Sequence, residues 1–202
     1  MDLFGYHSNK NLNLLPNDGI VNYYGKILTD TESDQYLQHL LNNIQWKNDE
    51  VIIYGKRIVT KRKIAWYGDD YYDYTYSKTT KKALKWTDEL VELKSIVEEE
   101  SGEIYNSCLL NLYHDGDEGM SWHSDDEKEL AESSAIASVS FGAERRFVFK
   151  HKQSQEKVEL ILEHGTLLMM KENTQKYWLH SLPKSKKVLI PRVNLTFRNF
   201  IA

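Results

Sequence analysis

Residues 107–113 read SCLLNLY, and they open a series of short segments of the same texture: AIASVSF at 135–141, RRFVFK at 145–150, VELIL at 158–162, TLLMM at 166–170, KYWLH at 176–180 and VNLTFRNF at 193–200. Each is a few residues long, rich in β-branched and aromatic side chains, and bounded by turn-forming residues. Several such strands at short spacing predict a sandwich or jelly roll. FGAER, at 141–145, reads as a hairpin turn, and His164-Gly165 before TLLMM as another. The all-β part of the chain is expected to begin after Gly102.

Upstream the period changes from two to that of a helix. Thr29 and Glu32 form a capping-box pattern, and Tyr36, Leu37, Leu40, Leu41 and Ile44 then recur at helical spacing. Trp86, Leu90, Leu93 and Val97 mark a second helix that stops at Gly102. The fold class expected is α+β, mainly β: a jelly roll buttressed by two N-terminal helices, with residues 50–80 as strands and loops overhanging its mouth.

The 202 residues fit one domain; 41% are hydrophobic and 28% charged, a globular composition. No apolar run approaches the roughly 20 residues that a membrane span needs, and the first residues, MDLFGYHSNK, lack a secretory pattern, so an intracellular protein is expected, cytoplasmic or, in a eukaryote, nuclear. The lone Cys108 forms no intrachain disulfide, excludes a zinc-cysteine site and reads as a small core residue. Net charge is -4, but it is unevenly placed. Between residues 54 and 85 nine Lys or Arg face three Asp, with Tyr and Trp interleaved after Lys63, a plausible phosphate-facing surface or simply a solvated one. Between residues 88 and 132 fifteen acidic residues meet only Lys94 and Lys128, and one use of carboxylates there is metal.

His123 and Asp125 lie two residues apart, so on an extended segment both side chains leave one face. His180, 55 residues beyond Asp125, offers a third ligand from a strand expected across the sandwich. Two imidazoles and one carboxylate form the facial triad of non-haem iron(II) oxygenases, which leaves positions open for co-substrate and oxygen. His-x-Asp alone is a weak signal; PRVNLTFR strengthens it. On a strand, Arg192, Asn194, Thr196 and Arg198 share a face far too polar for a sandwich interior unless it meets an anion or internal carboxylates. A dicarboxylate suits two guanidinium forks. Asn111 and Tyr113, alternating in SCLLNLY, would complete that anion pocket.

NLYHDGDEGMSWHSDDE (111–127), IASVSFGAERRFVFKHK (136–152), HGTLLMM (164–170) and LHSLPKSKKVLIPRVNLTFR (179–198) together resemble the AlkB family of Fe(II)/2-oxoglutarate-dependent dioxygenases, and most of all its members that repair duplex DNA. The resemblance runs over about residues 50–200. It implies a double-stranded β-helix core over about 103–202 and a nucleotide-recognition lid over about 50–85, within a single domain spanning 1–202. It also implies Fe(II) on His123, Asp125 and His180, and 2-oxoglutarate on Asn111, Tyr113, Arg192, Asn194, Thr196 and Arg198, with Arg192 at the distal carboxylate and Arg198 near the chelating end. Tyr74, Thr75 and Tyr76 match the family stretch that floors the base pocket, and Asp126 matches an acidic residue that touches the flipped base. Tyr54, in Tyr54-Gly55-Lys56, falls where the duplex-acting members carry an intercalating aromatic, and a tyrosine there departs from the usual phenylalanine. Arg62 would hold phosphate or the orphan strand. The expected activity is oxidative demethylation of nucleic-acid bases with Fe(II), 2-oxoglutarate and O2, by a monomer acting on DNA rather than RNA and without a membrane partner. Two alternatives stay open: an RNA-base or protein hydroxylase on the same fold, and a catalytically silent nucleic-acid-binding module.

Overall fold

Alternation along the C-terminal strands sorts their side chains between two environments, and that sorting places the site. The computed structural model describes residues 9–53, 56–69, 73–76, 79–125, 130 and 134–201, with backbone alone at 51–53, 56, 73–76 and 79–82. The elements in chain order are β1 (Ile20–Lys26), α1 (Asp30–Asn43), β2 (Lys47–Ile53), β3 (Lys56–Gly68), β4 (Asp73–Tyr76), β5 (Thr79–Lys82), α2 (Asp88–Ser101), β6 (Ser107–Tyr113), β7 (Met120–His123), β8 (Ile136–Gly142), β9 (Arg145–His151), β10 (Lys157–Leu162), β11 (Thr166–Lys171), the single turn α3 (Thr174–Tyr177), β12 (Trp178–Leu182) and β13 (Arg192–Arg198). Seven strands form a major antiparallel sheet in the order β1-β11-β8-β13-β6-β3-β2; four form a minor sheet, β10-β9-β12-β7; β4 and β5 pair as a separate ribbon.

Both helices start where their sequences direct, and α2 also stops where its sequence directs. Thr29 accepts from the Glu32 N–H while the Glu32 carboxylate takes the Thr29 N–H, closing the capping box, a device worth about 1 kcal/mol. Thr87 caps α2, and Gly102 ends it in the left-handed conformation at φ 71°. Their apolar faces, with Leu40, Leu90, Leu93 and Val97, cover the outer face of the major sheet. There they meet Leu110, Val139, Leu167, Val193, Leu195 and Phe197, and Cys108 is buried in the same cluster. A second cluster, with Val21, Phe149, Leu168, Met170 and Trp178, fills one end of the space between the sheets.

The structure corrects four expectations. The β architecture does not wait for Gly102, because β1, β2 and β3 belong to the major sheet. FGAER is no hairpin: β8 pairs with β11 and β13 in one sheet and β9 with β10 and β12 in the other, so the chain turns a corner between sheets. Gly142 makes that corner at φ 84°, where an added Cβ would stand 2.3 Å from the Pro191 carbonyl oxygen. The turn at Gly165, φ 74°, likewise carries the chain from β10 to β11 in the opposite sheet. His180 does not face His123 across the sandwich but is its register partner on the adjacent strand. The start of KYWLH, finally, closes α3 rather than opening a strand.

A candidate metal centre beside a guanidinium cradle

β13 shows how one sequence face becomes a site. Val193, Leu195 and Phe197 point into the helix-covered core, whereas Arg192, Asn194, Thr196 and Arg198 line a cavity between the two sheets. β6 lies beside it in register, Asn194 opposite Asn111 and Arg192 opposite Tyr113, so Asn111 and Tyr113 reach the same cavity. On the other side β8 contributes Ser138 and Ser140. The Arg192 Nη2 donates to Ser140 Oγ at 2.9 Å, and the Asn194 amide donates to Ser138 Oγ at 2.9 Å. This polar lattice faces the minor sheet, which supplies the triad.

His123 ends β7, Asp125 follows two residues on, and His180 lies on β12 beside His123. One ligand atom from each falls within 4.8 Å of the others, close enough to share an ion. His123 Nδ1 lies 2.8 Å from the Ser121 carbonyl, which can only accept, so the proton sits on Nδ1 and the Nε2 lone pair points toward Asp125 Oδ1 at 3.8 Å. The Asp125 backbone N–H is held by the Gln175 side-chain oxygen at 2.9 Å, and its other carboxylate oxygen by Arg198 Nη2 at 2.9 Å. Burial pushes the Asp125 carboxyl up, but the Arg198 guanidinium outweighs it and keeps the group ionised, below its ordinary range. His180 is buried, stacked on Phe147 at 5.4 Å with its edge toward Phe149, and the His123 ring lies 4.2 Å away. Burial, above all, drops its pKa to about 3, so its lone pair is free at neutral pH. Two neutral imidazoles and one carboxylate on one wall fit a divalent transition metal.

The cradle fits an anion. Arg192 is 2% exposed and, among the described residues, has no carboxylate partner, with its Nε left without a hydrogen bond. Burial, with Arg145 nearby, lowers its pKa to about 10. A buried guanidinium held by one hydroxyl is a site waiting for a negative charge.

All nine residues expected to hold the metal and the dicarboxylate therefore meet in one cavity. Arg62, expected to hold phosphate or the orphan strand, stands beside them: it is buried, ion-paired with Asp49, and lies at the cavity wall with Met120 Sδ 3.2 Å from Nη1. Tyr54, Gly55 and Asp126 lie outside the described residues, as do the side chains of Lys56, Tyr74, Thr75 and Tyr76, whose backbones run in β3 and β4. The basic stretch is partly spent on its own carboxylates, since Arg57 grips Glu50 through two bonds of 2.8 and 2.6 Å. Sequence reading missed Ser138 and Ser140, whose signal was there as two hydroxyls alternating within ASVSF. It also missed Asp49 and Arg145, which had none. Arg145 is buried with its guanidinium bonded to the carbonyls of Asp115, Glu118 and Pro183, tying together the loops that follow β6 and β12.

The family model of the 2OG-Fe(II) oxygenase superfamily matches residues 16–198. The chain belongs to that superfamily. Among relatives of this oxygenase, the DNA oxidative demethylase ALKBH2 of Homo sapiens is 41% identical over 195 residues, covering 91% of this chain and 75% of its own length. The Mus musculus protein of that name is 40% identical over 195 residues, 91% and 82% respectively. The alpha-ketoglutarate-dependent dioxygenase alkB homolog 3 of Homo sapiens is 40% identical over 177 residues, covering 83% of this chain and 61% of its own length. The solved structure of OsALKBH1 superimposes with a TM-score of 0.60 at 14% identity, over 92% of this chain and 99% of that one, a likeness of fold. The AlkB resemblance of the motifs and the jelly-roll expectation are both borne out.

Proposed function

We propose that this oxygenase removes alkyl groups from bases in DNA by oxidation. The observation that carries the reading is a triad ready for a divalent metal in the same cavity as a buried guanidinium that has no counter-anion among the described residues. His123, Asp125 and His180 would hold Fe(II). Arg192, with Asn194, Tyr113, Asn111 and Thr196, would hold the distal part of 2-oxoglutarate, and Arg198 stands at the end next to the metal ligands. Bound together with O2, these cofactors supply the oxidation of an alkyl carbon, yielding succinate, CO2 and, from a methyl group on a ring nitrogen, formaldehyde and the plain base.

What the chain itself contributes is placement and exclusion of water. Trp66, Leu109, Met120, Phe147 and Leu182 line the cavity with apolar surface, and Arg198 keeps Asp125 ionised and oriented. The triad residues serve as ligands and not as proton carriers. DNA as substrate is supported by the names of the relatives at about 40% identity. Residues 50–85 would act as the lid, with Tyr54, Gly55 and Lys56 at the stack, and Tyr74, Thr75, Tyr76 and Asp126 about the flipped base. The enzyme would work as a monomer, in the cytoplasm or, in a eukaryote, the nucleus; no helix among the described residues is long and apolar enough to cross a membrane.

The test is mass spectrometry of methylated single-stranded DNA, duplex DNA and RNA incubated with the protein, Fe(II), ascorbate and 2-oxoglutarate. Loss of one CH2 mass per methyl from DNA, dependent on every component, is expected. Conversion of RNA alone, or of none of the three, would reject DNA as the substrate.

A further inference from the structure

β3 is the longest strand of the fold, and only half of it is embedded in the sheet. Residues 63–68 pair with β6, whereas the residues before them pair with the edge strand β2 alone, so that β2 and the first half of β3 form a two-stranded ribbon running past the end of β6. Arg62 is the residue at which the ribbon leaves the sheet. Here the register slips: between the pairs Asn48–Lys63 and Glu50–Val59, β2 has only Asp49 whereas β3 has Thr60, Lys61 and Arg62, so β3 carries the bulge and Arg62 belongs to it. Bulges bend a strand and re-aim the bulged side chain. Here the bulged Arg62 side chain turns inward and pairs with Asp49, both side chains less than a tenth exposed.

This hinge touches the co-substrate cradle. The Arg62 guanidinium lies 6.0 Å from the centre of the Tyr113 ring, and the Arg192 guanidinium 5.6 Å from the same ring. A row thus crosses the major sheet from Asp49 through Arg62, Tyr113 and Arg192 to Ser140. A ligand that fixes Tyr113 and Arg192 also fixes the base of the ribbon, and a ligand that fixes the ribbon also fixes Tyr113.

We infer that the Asp49–Arg62 pair is a pin that couples the two: co-substrate held at Tyr113 sets the pose of the β2–β3 ribbon, so that 2-oxoglutarate and nucleic acid strengthen each other's binding. The inference rests on the proposed reading of the cavity and of the ribbon as part of the nucleic-acid lid. Linkage requires the effect to be reciprocal, each ligand improving the affinity for the other by the same factor.

The experiment measures binding rather than turnover. Mn(II)-loaded protein is titrated into a fluorescent oligonucleotide carrying one N-methylated cytosine, with and without saturating 2-oxoglutarate, and 2-oxoglutarate affinity is measured in parallel by calorimetry. The unaltered protein is expected to bind the oligonucleotide about tenfold more tightly with 2-oxoglutarate. Asp49→Asn is expected to bind both ligands with that ratio near one. The double variant Asp49→Leu, Arg62→Met keeps the buried volume without leaving a lone charge, and is expected to fold and lose the ratio as well. A ratio of one in the unaltered protein, or an unchanged ratio in either variant, would overturn the pin. Failure of the unaltered protein to bind 2-oxoglutarate at all would instead bring down the reading of the cavity, and the pin with it.

Discussion

Replacing Arg192 by Met should damage function and help stability, an opposition that follows from where the guanidinium sits. It is 2% exposed, and among the described residues its one side-chain hydrogen bond is to Ser140 at 2.9 Å and Nε has no partner. Lowering its pKa from 12.5 to about 10 corresponds to roughly 3 kcal/mol of penalty on the charged form in the ligand-free protein. Met fills much of the same volume without that penalty, and Ser140 loses a bond worth about 1 kcal/mol. The ligand-free variant should therefore be more stable by about 2 kcal/mol, a rise of roughly 4–8 °C in Tm for a chain of this size. The same change removes a charge-assisted fork, worth about 3 kcal/mol or more against a carboxylate, so the 2-oxoglutarate dissociation constant should rise at least a hundredfold. Differential scanning calorimetry without ligand and titration calorimetry with 2-oxoglutarate read the two effects. Unchanged 2-oxoglutarate affinity, or a ligand-free variant that melts several degrees lower, would refute the reasoning that Arg192 is an anion-binding cation kept at a cost.

Three further outcomes follow from other parts of the fold. Gly142→Ala should lower stability by several kcal/mol, seen as a lower urea midpoint, because φ is 84° and the new Cβ would collide with the Pro191 carbonyl oxygen. In the metal-free protein His180 titrates near 3, below the ordinary 6.5, so the unfolded chain takes up a proton first. Stability is fully present above 6.5 and is lost as pH falls from there toward 3, by about 1 kcal/mol per pH unit from this group, a slope that His180→Gln should remove from acid-unfolding curves. Cys108 is fully buried and its thiol is pushed well up, first by burial, so a thiol reagent should label it only after unfolding; rapid labelling of the native protein would contradict its core placement.

The parts of the fold legible in the sequence are those fixed by local rules. Thr29 with Glu32 and Gly102 announced helix ends because capping is satisfied within a few residues. Arg192, Asn194, Thr196 and Arg198 announced the cavity because a strand's period of two gathers them on one face. What stayed hidden depends on partners distant in sequence. FGAER carries a hairpin's composition, yet β8 and β9 turn to different sheets, and only the strands they meet decide that. β1 pairs with β11 about 150 residues away, and nothing inside Ile20–Lys26 says so. Arg62 was legible as a cation but not as a buried one, because it stands in a bulge of β3, opposite Asp49, that period-two reading cannot foresee.

His123, Asp125 and His180 are expected to hold a single divalent metal together. Equilibrium dialysis of Mn(II) against the purified chain, with folding followed by circular dichroism, tests this most directly. One equivalent per chain is expected for the unaltered protein, with binding abolished in His123→Ala and Asp125→Ala at unchanged spectra. Full stoichiometry in those folded variants would place the metal elsewhere and contradict the account.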